Sequence, residues 1–189
     1  FEITDDVDGA DAVIINTCGF IEDAKKEAIE NILDMVELKN EGVIGKIIVT
    51  GCLAQRYADT IKEEFPEVDA VLGIADYDEI LSTVQRVSEG DKVYDCVVKD
   101  NFYENRVLTT PYHYAYLKIA DGCDNHCTYC VIPSIRGKYR SEKMQDLLAE
   151  AKKLADDGVK ELILVAQDVT RYGTDIDGEP HLIELVDEL

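Results

Sequence analysis

The sequence predicts an α/β fold: a doubly wound parallel sheet in the N-terminal half, followed by the start of a second β/α body. Three observations predict it. Short, nearly continuous apolar runs alternate with longer segments of helical spacing, as expected for parallel strands buried on both faces and joined by crossover helices. The alternation changes character after residue 88 and restarts at residue 114. Hydrophobic residues make up 46% of the 189-residue chain, enough for a buried core.

Taken in order, A-D-A-V-I-I-N (10–16) reads as the first buried strand. Residues 22–41 follow as a helix, with Ala24, Ala28, Ile32, Met35 and Val36 on one stripe. K-I-I-V-T (46–50) is a second strand, and a helix runs from about Gln55 to Phe65, where Pro66 helps to stop it. V-D-A-V-L-G-I (68–74) is a third strand. Residues 76–87 form a third helix with Asp76 as its N-cap. V-Y-D-C-V-V reads as an edge strand or hairpin arm, and R-V-L-T-T-P-Y-H-Y as an extended linker with a domain boundary near Thr110. The second body begins with strand 114–120. Helix 141–158 follows, with Ser141 as N-cap and Gly158 as stop. Strand 160–166, a polar loop and a last helical stretch from His181 complete it.

The formal net charge is −21. Such a surface disfavours direct nucleic-acid binding, which needs clustered Lys and Arg, and suits a basic partner. Solubility alone explains the charge equally well. No apolar run approaches the roughly 18–20 residues of a membrane span. The first stretch is acidic and lacks the pattern of an export signal. With six cysteines and no need for staples, a reducing, cytoplasmic compartment with free thiols is expected.

Three of those cysteines crowd one loop, D-G-C-D-N-H-C-T-Y-C, in the spacing C-x3-C-x2-C: Cys123, Cys127 and Cys130. The loop follows a predicted strand, at the end where parallel α/β folds place their active sites. Three thiolates grip three corners of a [4Fe–4S] cube and leave the fourth iron open to a small molecule, unlike a four-cysteine ferredoxin site. A structural zinc site is the bland alternative, with His126 as a conceivable fourth ligand. Cys18 (I-N-T-C-G-F-I) and Cys52 (V-T-G-C-L-A-Q-R-Y) each follow a strand. Adjacent parallel strands would bring these two thiols together although 34 residues separate them. Position alone leaves metal binding and plain structural burial both standing. Cys96 alternates with apolar neighbours and reads as structural.

The cysteine loop, with Tyr129 just before Cys130, resembles the radical S-adenosylmethionine (SAM) enzymes. The segments around Cys18 and Cys52 look like the N-terminal domain of methylthiotransferases within that superfamily. The resemblance implies a methylthiotransferase N-terminal domain at 1–88, a linker or edge strand at 89–113, and the first two units of a radical-SAM partial (β/α) barrel at 114–189. It is strongest to the branch that modifies ribosomal protein S12, carried by residues 15–27, 116–141 and 161–175. The tRNA-adenosine branch, the main alternative, typically shows G-Q-N-V-N-S-Y where this chain has Ala166-Gln167-Asp168-Val169-Thr170-Arg171-Tyr172.

That likeness implies a transferase that adds a methylthio group to the β-carbon of an aspartate through a 5′-deoxyadenosyl radical. It implies SAM and two [4Fe–4S] clusters in the intact enzyme. Cys123, Cys127 and Cys130 would hold the SAM cluster. Cys18 and Cys52 match two of the three ligands of the second cluster, the third lying before residue 1 in the family. Tyr129 is expected against the adenine of SAM, with loop packing as its plain alternative, and Gln167 at SAM or substrate. Arg136 and Lys138 are expected near a carboxylate, of SAM or of the substrate aspartate, with solvated charge as their plain alternative. Tyr112, Tyr114 and Tyr116 are expected to pack along one strand face. The expected partners are ribosomal protein S12 and an electron donor such as a flavodoxin or ferredoxin, with no membrane. If eight β/α units need about 250 residues, six need about 190, so the 76 residues from Tyr114 read as a truncated barrel. The expectation is therefore a fragment inactive alone. A reading of another class is a zinc-stabilised acidic module that docks a basic protein.

Overall fold

The computed structural model describes residues 2–74, 79–96 and 107–189. The chain divides into two compact units, residues 1–100 and 101–189.

The first unit is a four-stranded parallel sheet in the order β1-β2-β3-β4, with β1 at Ala12–Thr17, β2 at Lys46–Gly51, β3 at Ala70–Leu72 and β4 at Val93–Asp95. β4 pairs parallel to β3, so it is an edge strand and not a hairpin arm. Helices α1 (Glu22–Asn40) and α2 (Cys52–Glu64) cover one face. There Ala28, Ile32, Leu53, Ala54 and Ile61 bury against Ile47, Val49 and Val71. Helix α3 (Ile80–Ser88) covers the other, with Val87 on Ile48, Ala70 and Leu72. The alternation of partners along β2 is what the period-two geometry of a strand requires, and both faces are apolar because both are covered. The proposed cap Asp76 lies outside the described residues. α2 begins at Cys52, three residues before the expected start, and bends at Tyr57.

At the start of β3 the carboxylate of Asp69 is buried. It pairs with Lys39, accepts the Ile47 N–H at 2.9 Å, and has Lys46 and Lys92 each 3.8 Å away. This charge cluster closes the sheet at the end opposite Cys18 and Cys52.

The second unit is built on β5 (Tyr114–Lys118) and β8 (Glu161–Val165), which pair in parallel. Helix α5 (Met144–Asp156) connects them, and α6 (Leu182–Glu188) packs with it. Leu117, Ile119, Leu147, Ala151, Tyr172 and Leu185 form the core. Three short elements lie between β5 and α5: β6 (Ala120–Asp121), α4 (Ile132–Arg136) and β7 (Arg140–Ser141). β6 and β7 pair antiparallel, Ala120 with Ser141 and Asp121 with Arg140. Ser141 is therefore a strand residue and not the N-cap of α5, which starts after Lys143. Its hydroxyl donates to Asp175 at 2.5 Å instead. Of the three tyrosines, two share a strand face as expected and Tyr112 does not. Ala115 and Leu117 face the core, while Tyr114 and Tyr116 stack edge to face at 5.9 Å on the outer side, and Tyr112 is exposed ahead of the strand. No helix among the described residues is long and apolar enough to cross a membrane.

Candidate functional site

The cysteine loop leaves β6 and returns through α4 to β7. Cys123 is buried, Cys130 half-buried and Cys127 exposed. Tyr129 points into solvent, 89% exposed. The tip is a turn, closed by the Cys130 N–H donating to the Cys127 carbonyl at 2.9 Å, with His126 in the left-handed region at φ 48°. At the base, the Cys123 N–H donates to the Gly137 carbonyl at 3.1 Å. Gly122 has φ 77°, and a Cβ there would overlap the Lys138 carbonyl oxygen, so only glycine permits this approach.

Asp121 sits at the foot of this loop. Its carboxylate accepts Arg136 Nη1 at 3.0 and 3.2 Å, the Gly122 N–H at 2.8 Å and Lys118 Nζ at 3.3 Å. Burial works against its ionisation, but the charges of Arg136 and Lys118 and the hydrogen bonds outweigh it and hold the carboxyl below its ordinary range. Arg136, expected at a ligand carboxylate, thus has Asp121 as a partner within the loop. Lys138 is exposed.

A second loop, after β8, is bonded to the first. Asn125 Nδ2 donates to Asp168 Oδ2 at 3.1 Å, and the Tyr139 hydroxyl donates to the Asp168 carbonyl at 2.9 Å. Arg171 lies over the Tyr139 ring, 5.2 Å from its centroid. Burial, then the nearby charges of Asp168 and Asp175, push the Tyr139 phenol up to about 12, so it is a neutral donor throughout the physiological range. Gln167 stands at the head of this loop. Its side-chain oxygen is buried with no hydrogen-bond partner among the described residues. A buried orphan acceptor costs free energy and calls for an explanation, of which a ligand is one. The α4 turn and the Asp168 links were not foreseen; Pro133 in the first turn and Gly137 after the last were the available signal for α4.

In the first unit, Thr17 stands opposite Gly51 in the β1–β2 ladder, so Cys18 and Cys52 leave adjacent strands at the same level. Thr17 locks this corner: its hydroxyl donates to the Thr50 carbonyl at 2.5 Å and accepts the Ala54 N–H at 3.4 Å. Gly51, at φ 97°, admits the Thr17 carbonyl where a Cβ would overlap it. Cys18 is exposed and Cys52 half-buried. Cys96 packs against the core, its sulfur 3.7 Å from the Ala54 carbonyl. Among the described residues, no three His, Cys, Asp or Glu side chains converge on a common metal position.

Three thiols lie on the loop that follows the first of two parallel strands, and this loop is bonded to the loop after the second. Residues 117–189 match the Radical SAM superfamily, and residues 1–73 match a family described as "Uncharacterized protein family UPF0004". Nearly the whole chain is similar to radical-SAM methylthiotransferases. It is 52% identical over 190 residues to the ribosomal protein uS12 methylthiotransferase RimO of Clostridium tetani, covering 99% of this chain and 43% of that protein. It is 53% identical over 199 residues to the protein of that name in Acetivibrio thermocellus, and 48% over 192 residues to that of Clostridioides difficile. Both matches span 100% of this chain, and 44% and 43% of those proteins. The chain thus spans less than half the length of the curated relatives it matches. None of these three carries a tRNA-modifying name.

Proposed function

We propose that this chain carries the SAM- and cluster-binding part of a methylthiotransferase acting on an aspartate of ribosomal protein uS12. The observation that carries the reading is the cysteine loop bonded to the β8 loop beside the orphan oxygen of Gln167. The donor set suits a [4Fe–4S] cluster: three free thiols within eight residues, one of them buried. Cys123, Cys127 and Cys130 would hold it. When bound, such a cluster supplies the open iron and the electron for reductive cleavage of SAM.

The chain's own residues bind and orient. Gln167 Oε1 accepts a hydrogen bond from the bound cofactor, which would relieve its unpaired state. Tyr129, exposed on the loop, offers its ring face to the adenine. Tyr139 and Asn125 keep the two loops together through Asp168. Cys18 and Cys52 belong to a second cluster, with their strand register supplying the spacing. The −21 charge suits a basic ribosomal protein and speaks against tRNA as the substrate. A redox carrier of the flavodoxin or ferredoxin class supplies electrons, and the reaction belongs to the cytoplasm.

The test is anaerobic reconstitution of the chain, followed by metal and sulfide analysis and EPR of the reduced protein with and without SAM. About four iron and four sulfide per chain at the loop site, with a spectrum that shifts on adding SAM, are expected. A single zinc with no response to SAM would overturn the reading. Incubating the complete protein with uS12 and with tRNA separates the substrates, as thiomethylated peptide is expected and thiomethylated adenosine is not.

A further inference from the structure

The excursion between β6 and β7 spans residues 122–139, and its ends are held by a ladder of only two residue pairs. So short an antiparallel pair does not stand alone in water, and closing a loop of this length carries an entropic cost. Other groups must therefore fix the base. Asp121 gathers three pieces of chain: Lys118 at the end of β5, the Gly122 N–H at the loop's start, and Arg136 at the end of α4. Arg140 Nη1 reinforces the return path by donating to the carbonyls of Arg136 at 3.1 Å and Lys138 at 2.8 Å. One residue past Gly122, the Cys123 N–H bonds Gly137, the neighbour of Arg136. Cys123 is consequently 8% exposed, whereas Cys127 and Tyr129 lie at an open tip.

We propose that Asp121 and Arg136 are positioning residues, whose ion pair closes the base of the cysteine loop and presets Cys123 as the anchoring thiol before metal arrives, Cys127 and Cys130 completing the site from the tip. The proposal deepens the functional reading above and rests on it for the identity of the metal group. Neither side chain is a metal ligand in it; both act through the backbone that carries Cys123. Arg136 Nη1 meets both Asp121 oxygens from the turn that ends α4, and its planar group keeps less freedom to lose than a lysine would. The ion pair also gives Arg136 a role without assigning it to a ligand.

The experiment compares the wild-type chain with D121N, R136Q and R136K. In the metal-free chains, alkylation of each cysteine is followed by mass spectrometry, with Cys18 as the reference thiol in the other unit. Iron uptake and the EPR line shape are then measured after reconstitution. In the wild type, Cys123 is expected to react at least about tenfold more slowly than Cys127, since it reacts only on local opening. D121N and R136Q are expected to raise the Cys123 rate about tenfold, the loss of a charge-assisted hydrogen bond, with Cys127 and Cys18 unchanged. Iron uptake falls in both and the EPR lines broaden. R136K recovers part of the protection.

Wild-type Cys123 rates and wild-type EPR spectra in both D121N and R136Q would overturn the proposal. If those variants fail to fold, the wild type decides alone: equal reactivity of Cys123 and Cys127 overturns it. Failure of the functional reading is distinguishable. A wild-type chain that takes up no iron yet protects Cys123 in an Asp121-dependent way removes the cluster and supports the preset thiol.

Discussion

Cys18 and Cys52 stand side by side because two parallel strands end at the same level. Cys123, Cys127 and Cys130 share a loop whose position depends on what closes its base. The first pair is placed by the sheet: the β1–β2 ladder sets the register, and neighbouring strands lie about 4.8 Å apart whatever follows them. The trio is placed by side chains, Asp121 on Arg136 and Tyr139 on Asp168, across separations of 15 and 29 residues. A sheet-set site is inherited from the fold and is rigid in proportion to its core. A loop-set arrangement depends on the side chains that hold it, here Arg136 on Asp121 and Asn125 on Asp168.

The largest effects should come from the two glycines that allow each arrangement. Gly51→Ala forces a side chain into a backbone region essentially reserved for glycine and into the Thr17 carbonyl. A cost on the order of 3 kcal/mol is expected in the stability of the first unit, with loss of the Cys18–Cys52 pairing. Urea unfolding and capture of both thiols by one dithiol-specific arsenical measure the two. Gly122→Ala meets a similar overlap, at the base of a loop outside the core of the second unit. It should leave unfolding nearly unchanged while exposing Cys123. Equal loss of stability in both variants would break the comparison.

Asp69→Asn attacks the same sheet at its other end. Three lysines would lose their buried counter-charge while the Ile47 N–H keeps an acceptor. The lysines reach water, so the expected cost sits below that of a closed ion pair, about 2 kcal/mol. Arsenical capture of Cys18 and Cys52 should persist under native conditions. Its loss would mean that the thiols depend on the whole sheet and not on their local register.

The two regions also differed in how far the sequence revealed them. Apolar runs such as K-I-I-V-T exposed the strands, and strand adjacency followed from the βα alternation, so the neighbourhood of Cys18 and Cys52 was legible. The cysteine trio was legible from spacing alone. Its support was not. β6 and β7 hold two residues each, too few for any periodicity, which is why Ser141 read as a helix cap. The partners of Asp121 and Asp168 are distant in sequence and set by tertiary closure. Gln167 was visible as a candidate, but its orphan oxygen emerges only once its surroundings are packed.

A smaller contrast lies in two hydroxyls. Thr17→Val removes a buried donor to Thr50 and an acceptor for Ala54, and about 1–2 kcal/mol is expected. Tyr139→Phe removes one bond to the Asp168 carbonyl, worth about 1 kcal/mol. Its mark should be faster amide exchange in both loops of the second unit, with the first unit untouched. Exchange confined to one loop would mean that Tyr139 does not join them.

The smallest effect is a pH response at the far side of the β8 loop. His181 bonds Asp177 through Nε2 and Glu184 through Nδ1, each at 2.8 Å. The bonds to Asp177 and then Glu184 raise its pKa. Asp177 is shifted down, first by the Glu179 N–H and then by His181. A raised histidine contributes fully below its unfolded value, about 6.5, and loses that contribution as pH rises through the folded value. A lowered aspartate contributes above its unfolded value and loses that contribution as pH falls through the folded one. The clamp is therefore tightest in mildly acidic solution and relaxes on both sides. NMR titration of the His181 ring should give a pKa above the ordinary histidine value, and His181→Gln should flatten the pH dependence of amide exchange over residues 173–181. An ordinary His181 titration would remove the clamp. It would leave the β8 loop held by Tyr139 and Asn125 and by the Ser141–Asp175 bond.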